Sequence, residues 1–169
     1  MLRGKKLLYL SRPSRQPQTI IIMAEPIDKQ TLIDGLNEDL ANEYQAIIMY
    51  NSFAAMVSGI HRPMLKQFFE AEIPEETRHA SFLADKITAL GGIPVTRAAE
   101  FKPATANREM LEQVLEAESM TIKRYVERRK QAEAFGDYGL ATDLDTIISD
   151  ETKHKEETEK LLRHLSEER

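Results

Sequence analysis

From about Thr31 the apolar positions Ile33, Leu36, Leu40, Ile47, Tyr50, Ala54 and Val57 recur in steps of three and four, with Glu43 set inside the same stripe. That spacing predicts one long amphipathic helix, and Gly59 is its expected stop. Pro63 suits the first turn of a second helix reaching about Leu90, whose stripe holds Leu65, Phe69, Glu72, Glu76, His79, Leu83 and Leu90 before Gly91-Gly92 closes it. Pro74 lies inside this segment and is read as a kink just before Glu76, the alternative being two shorter helices. A third helix is expected from about Asn107 to Phe135, with Leu111, Val114, Glu118, Ile122 and Tyr125 on its inner face. Gly136-Asp137 then makes a tight turn, and Leu140, Leu144, Ile147, Glu151, His154, Thr158, Leu161 and Leu165 form the stripe of a fourth.

Connection lengths give the topology. The short first and last links make antiparallel neighbours. Between helices two and three, residues 93–106 carry Pro94 and Pro103 and few helical signals. Fourteen extended residues reach about 46 Å, and a helix of about 28 residues is about 42 Å long, so this link can cross the whole bundle. Helices two and three are then parallel. The expected fold is all-α, an antiparallel four-helix bundle with a long crossover between helices two and three.

The polar intrusions repeat. Glu76 and His79 recur 75 residues later as Glu151 and His154, and the same offset relates Glu43 to Glu118 and Tyr50 to Tyr125. Residues three apart share a helix face, so each Glu-x-x-His offers a carboxylate and an imidazole to one point. One copy would be weak evidence. Two copies, each in an apolar stripe and each 33 residues after another seam Glu, point to a site shared by the two halves. His61 and His164 lack a Glu three residues before them and are read as surface residues.

Composition narrows the chemistry. With 169 residues, 41% hydrophobic and 30% charged, the chain suits one domain with a sizeable core. No cysteine is present, so disulfides, iron–sulfur clusters and thiolate metal sites are excluded, and metal chemistry has to use oxygen and nitrogen. The formal charge of −5 gives no general reason to expect nucleic acid, no run spans a bilayer, and a cytoplasmic location is expected. Residues 1–26 stand apart from the bundle domain, 27–169. Arg3, Lys5, Lys6, Arg12 and Arg15 make 1–22 basic, and removing those five charges takes the net charge from −5 to −10. This extension is read as disordered or as the product of an upstream start codon, with Met23-Ala24 as the true beginning; an organellar or secretory leader is the alternative.

Four carboxylates and two imidazoles in one bundle core would be severely destabilising unless compensated. Two divalent cations supply the compensation: four carboxylates balance four positive charges, and a mixed oxygen and nitrogen set suits iron or manganese. The alternative is an oligomerising bundle whose polar seam is structural.

This pattern resembles the ferritin-like superfamily over about residues 27–165, and its spacing is most similar to bacterioferritin. The resemblance implies two iron ions per chain, with Glu76 and Glu151 bridging them, Glu43 and His79 completing one position, and Glu118 and His154 the other. Glu75 and Asp150 resemble the acids that orient the family's histidines across the bundle, and Tyr50 is a candidate to hydrogen-bond a ligand or donate an electron. The implied activity is a ferroxidase: Fe(II) oxidised by O2 or H2O2, in iron storage, detoxification and homeostasis, by a homo-oligomer. Thr77 stands where haem-binding relatives carry Met, so haem is not expected. Fifteen residues follow His154, too few for the short fifth helix of a 24-subunit shell, and dimer, 12-mer and 24-mer all stay open. A rubrerythrin-like peroxidase or oxidase is the neighbouring alternative. It would be expected to carry a further Glu where Thr121 stands.

Overall fold

A computed structural model describes residues 27–167. The basic segment 1–26, with the start expected at Met23, lies outside the described residues, as does the side chain of His164. Four helices follow in order: α1 Lys29–Met56, α2 Arg62–Ala89, α3 Asn107–Phe135 and α4 Tyr138–Glu167. Asp28 caps α1 by accepting from the Thr31 N–H at 2.9 Å. Gly136 closes α3 in the left-handed region at φ 90°, and Asp137 accepts from Leu140 N–H at 3.0 Å to begin α4. The helix α2 runs on through Pro74 as one element, so the two-helix alternative falls away.

The crossover is fastened along α1. Asn37 holds both the Ile93 carbonyl at 3.2 Å and the Val95 N–H at 2.7 Å; Ala99 N–H donates to Ala41 at 2.8 Å; Gln45 donates to Glu100 at 2.9 Å. Asn107 then pairs with Ser58, beyond the far end of α1, at 2.8 and 3.2 Å. The link therefore climbs the length of α1 while α2 descends, and α3 starts beside the start of α2. Helices α2 and α3 are parallel, as their connection length requires.

Two apolar clusters fill the ends of the bundle. One gathers Leu32, Leu36, Leu40, Leu83, Ile87, Leu140 and Leu144; the other gathers Phe53, Leu65, Phe69, Met110, Leu111, Val114 and Leu161. The buried Glu and His residues of all four helices form a polar layer between them. Ile47, Ile122, Leu90 and Leu165, assigned to inner stripes, are only half-buried because they sit at the edges of those stripes. His61 is half-buried at the N-cap of α2 rather than fully on the surface.

The stripe reading missed one ion pair. Arg128 on α3 donates to Asp39 on α1 through Nε at 2.7 Å and Nη2 at 3.4 Å, and both residues are buried. Gly35, one turn before Asp39, makes the room: a Cβ there would lie 1.5 Å from Arg128 Nη1. Gly35→Ala is therefore expected to push the guanidinium off its carboxylate and cost about 1–3 kcal/mol as overpacking. A shift of the urea midpoint at unchanged slope measures it. Among the described residues no helix is long and apolar enough to cross a membrane.

Candidate metal centre

Each helix contributes to the polar layer from near its middle. Glu43 comes from α1, Glu118 from α3, Glu76 with His79 from α2, and Glu151 with His154 from α4; all six are 6% exposed or less. The donor atoms of Glu43, Glu76, His79 and Glu151 lie within 4.8 Å of one another, and so do those of Glu76, Glu118, Glu151 and His154. Glu76 and Glu151 belong to both sets.

These two acids divide their oxygens between the sets. Glu151 places Oε1 2.9 Å from His79 Nδ1 and Oε2 3.6 Å from His154 Nδ1. Glu76 places Oε2 3.9 Å from His79 Nδ1 and Oε1 3.6 Å from His154 Nδ1. Glu43 Oε2 lies 3.7 Å from His79 Nδ1. Yet Glu43 Oε2, Glu76 Oε1, Glu151 Oε1, His79 Nδ1 and His154 Nδ1 are buried without an aligned hydrogen bond. Buried polar groups are almost always satisfied. Five convergent atoms left bare are the signature of a cation site, and their oxygen and nitrogen chemistry fits iron or manganese.

Tyrosines hold the two acids that belong to one set each. The Tyr125 hydroxyl donates to Glu43 Oε1 at 2.5 Å, and the Tyr50 hydroxyl donates to Glu118 Oε1. The pairs cross between α1 and α3, as the 75-residue offset requires when each half supplies the other's tyrosine. Each hydroxyl takes one carboxylate oxygen and leaves its fellow for the centre. Burial, then neighbouring carboxylates, push both phenols well above their ordinary value, so they remain donors at neutral pH. Tyr50→Phe or Tyr125→Phe is expected to weaken metal affinity about 10-fold, the low end for losing a group that orients a ligand. Equilibrium titration with Mn2+ checks this.

The cluster carries protons that a cation has to displace. Burial and the neighbouring Glu151 carboxylate raise Glu76 and Glu118 well above the usual carboxylate range. Burial opposes the charge on His79, but Glu151 and Glu43 outweigh it and push it up to about 10. His154 is likewise raised against burial by Glu151, Glu72 and Glu76. At pH 7 the metal-free histidines therefore hold both ring protons, and metal binding must release one from each. Calorimetric enthalpies should differ between buffers of different ionisation enthalpy, and affinity should fall as pH is lowered.

Outside the layer, His154 Nε2 faces Glu72 at 2.9 Å and Glu75 at 3.2 Å, and His79 Nε2 faces Asp150 at 3.9 Å. Arg78 joins the last two acids, donating to Glu75 and, at 3.4 Å, to Asp150. Glu72 is half-buried, one turn before Glu76 on the α2 stripe, which brings it to the outer side of His154. Thr77 is exposed on α2, with its hydroxyl donating to the Ile73 carbonyl at 2.8 Å.

Comparison with known proteins identifies the fold. A solved ferritin-like, diiron-carboxylate protein from Bacillus anthracis str. Ames is 52% identical, with a TM-score of 0.78 over 79% of this chain and 96% of that one. A bacterioferritin of Streptomyces coelicolor is 30% identical over 124 residues, 73% of this chain and 74% of its own. A nutrient stress-induced DNA-binding protein of a Nostoc strain is 27% identical over 125 residues, 68% of each chain. The family model for the ferritin-like domain matches residues 33–167, which takes in all of the four helices but the first turn of α1 and the whole polar layer, and the chain belongs to that family.

Proposed function

We propose that this protein is a ferroxidase that takes up two Fe2+ per chain and passes their electrons to O2 or hydrogen peroxide, in iron storage or detoxification. The observation that carries the reading is the pair of buried donor sets sharing Glu76 and Glu151. Iron supplies one electron per ion, so two ions reduce O2 with two protons to H2O2, or H2O2 with two protons to two waters.

The residues have separate tasks in this reading. Glu76 and Glu151, with one oxygen toward each set, would be shared by two cations. Glu43 and His79 would hold one of them, Glu118 and His154 the other, and the carboxylates would favour the higher charge of Fe3+. Tyr50 and Tyr125 keep Glu118 and Glu43 from turning away. The apolar clusters above and below exclude bulk water and strengthen each electrostatic contact. Manganese would find the same donors.

We also propose a homo-oligomer. Tyr44, Ile47 and Ile48 line an outward-facing apolar hollow with Thr96 and Ala98, and Ile48 is 48% exposed. A surface of this kind is better covered by another copy than left in water. The DNA-binding relative is similar in sequence, but a formal charge of −5 gives this chain no general hold on a phosphate backbone.

Adding Fe2+ aerobically to the purified protein tests the reading. Oxidation should be fast and saturate at about two irons per chain, and a mineral core should follow only if the assembly is a storage shell. Oxidation no faster than in protein-free buffer would refute it. Faster turnover with peroxide than with O2, under reducing conditions and without a core, would move the assignment to a peroxidase.

A further inference from the structure

The 75-residue offset pairs the two halves position by position, and most of the centre matches like with like: Glu43 with Glu118, Glu76 with Glu151, His79 with His154, Glu75 with Asp150. The match fails at Glu72. Its counterpart is Ile147. Consequently His154 Nε2 has two acids close by, Glu75 hydrogen-bonded at 3.2 Å and a Glu72 oxygen at 2.9 Å, while His79 has Asp150 at 3.9 Å from Nε2 without an aligned hydrogen bond, and Glu75 only within the 4.8 Å cluster that the three form. Asp150 is further drawn away by Lys153 at 2.8 Å and Arg78 at 3.4 Å.

Resting on the proposed two-metal centre, we infer that its two positions are inequivalent: the Glu118/His154 position is the tighter and fills first, with Glu72 as the positioning residue that makes it so. A carboxylate accepting the outer N–H of an imidazole fixes the ring and its tautomer, and makes the inner nitrogen a stronger donor. It also adds a negative charge on the side of the cation. At His154 Glu75 takes the hydrogen bond and Glu72 adds a second negative charge 2.9 Å from Nε2, whereas His79 has neither in full. The halves also differ at Asp39 and Arg128, whose counterparts are Val114 and Phe53. That pair is close and internally neutral, so it offsets little of what Glu72 contributes.

The structure also offers the reverse experiment. Beside His79 a cavity of about 310 Å³ is lined by Arg78, Phe82, Ile147 and Asp150, leaving room for a longer polar side chain at 147. Ile147→Glu would give His79 the second acid that His154 already has.

The test is an anaerobic titration of the full chain with Co2+, followed by visible absorption and calorimetry. Wild type should bind in two steps of one Co2+ per chain, with dissociation constants about 10–100-fold apart. In Glu72→Ile the tighter step should weaken until the two merge; in Ile147→Glu the weaker step should tighten by a similar factor. A purely structural role for Glu72 would not produce the second result. Two equal steps in wild type, or a separation unchanged in both variants, would overturn the inference while leaving two metals per chain intact. No saturable Co2+ binding in wild type would instead overturn the two-metal reading itself. Should Glu72→Ile fail to fold, Ile147→Glu decides alone.

Discussion

Glu151→Ala is expected to abolish fast iron oxidation, lowering the initial rate at least about 10³-fold and removing the break at two irons per chain. The reason is positional. Glu151 gives one oxygen to each donor set, at 2.9 Å from one inner histidine nitrogen and 3.6 Å from the other, so its loss damages both positions together. Burial opposes its charge, yet the nearby His154 and His79 hold it ionised well below the usual carboxylate range. Removing it therefore deletes a negative charge that both imidazoles share and leaves Glu76 alone between them. Losing a group that only orients a ligand costs 10–100-fold in affinity or activity, and a ligand common to two positions has to cost more. Stopped-flow absorbance in the near ultraviolet measures the rate. A variant that keeps the wild-type rate and stoichiometry would remove Glu151 from the centre. Glu76→Ala should behave alike, because Glu76 divides its oxygens in the same way.

Metal should also stabilise the fold strongly. In the metal-free chain the layer packs four buried acids around two histidines and leaves six of their polar atoms bare, each costing free energy that the apolar clusters must offset. A cation bound only by the folded state adds about 4.1 kcal/mol at a free concentration 1,000 times its dissociation constant. For a domain of this size that is about 8–16 °C in melting temperature per site. Anaerobic Mn2+ or Co2+ should therefore raise the melting temperature of wild type by well over 10 °C, and Glu151→Ala should lose most of the gain. A metal-free protein of full stability that gains nothing on adding metal would favour a bundle whose polar seam is structural.

Much of this architecture can be read from residue order, because a buried carboxylate in a leucine stripe is conspicuous. Glu43 between Leu40 and Ile47, and Glu151 with His154 after Leu144 and Ile147, announce themselves by interrupting a period that is apolar up to them. The crossover direction follows from length alone, and Asn37, Gln45 and Asn107 show how it is held. What the order of residues hides is pairing across helices. Tyr50 and Tyr125 stand one offset apart, but only packing shows that each serves the acid of the opposite half. Asp39 and Arg128 look like surface charges on separate helices until Gly35 opens the space between them; the four-residue steps Gly35, Asp39 and Glu43 were the faint sign. Glu72 is similar, since a stripe position tells that a side chain faces inward but not which histidine nitrogen it meets.

The most direct test of the two-metal claim is a crystal structure of the protein soaked anaerobically with Fe2+, with anomalous scattering recorded at the iron edge. Two peaks per chain should appear, one touching Glu43 and His79, the other Glu118 and His154, and both touching Glu76 and Glu151. A single peak, or peaks confined to surface acids with the six buried residues left bare, would contradict it.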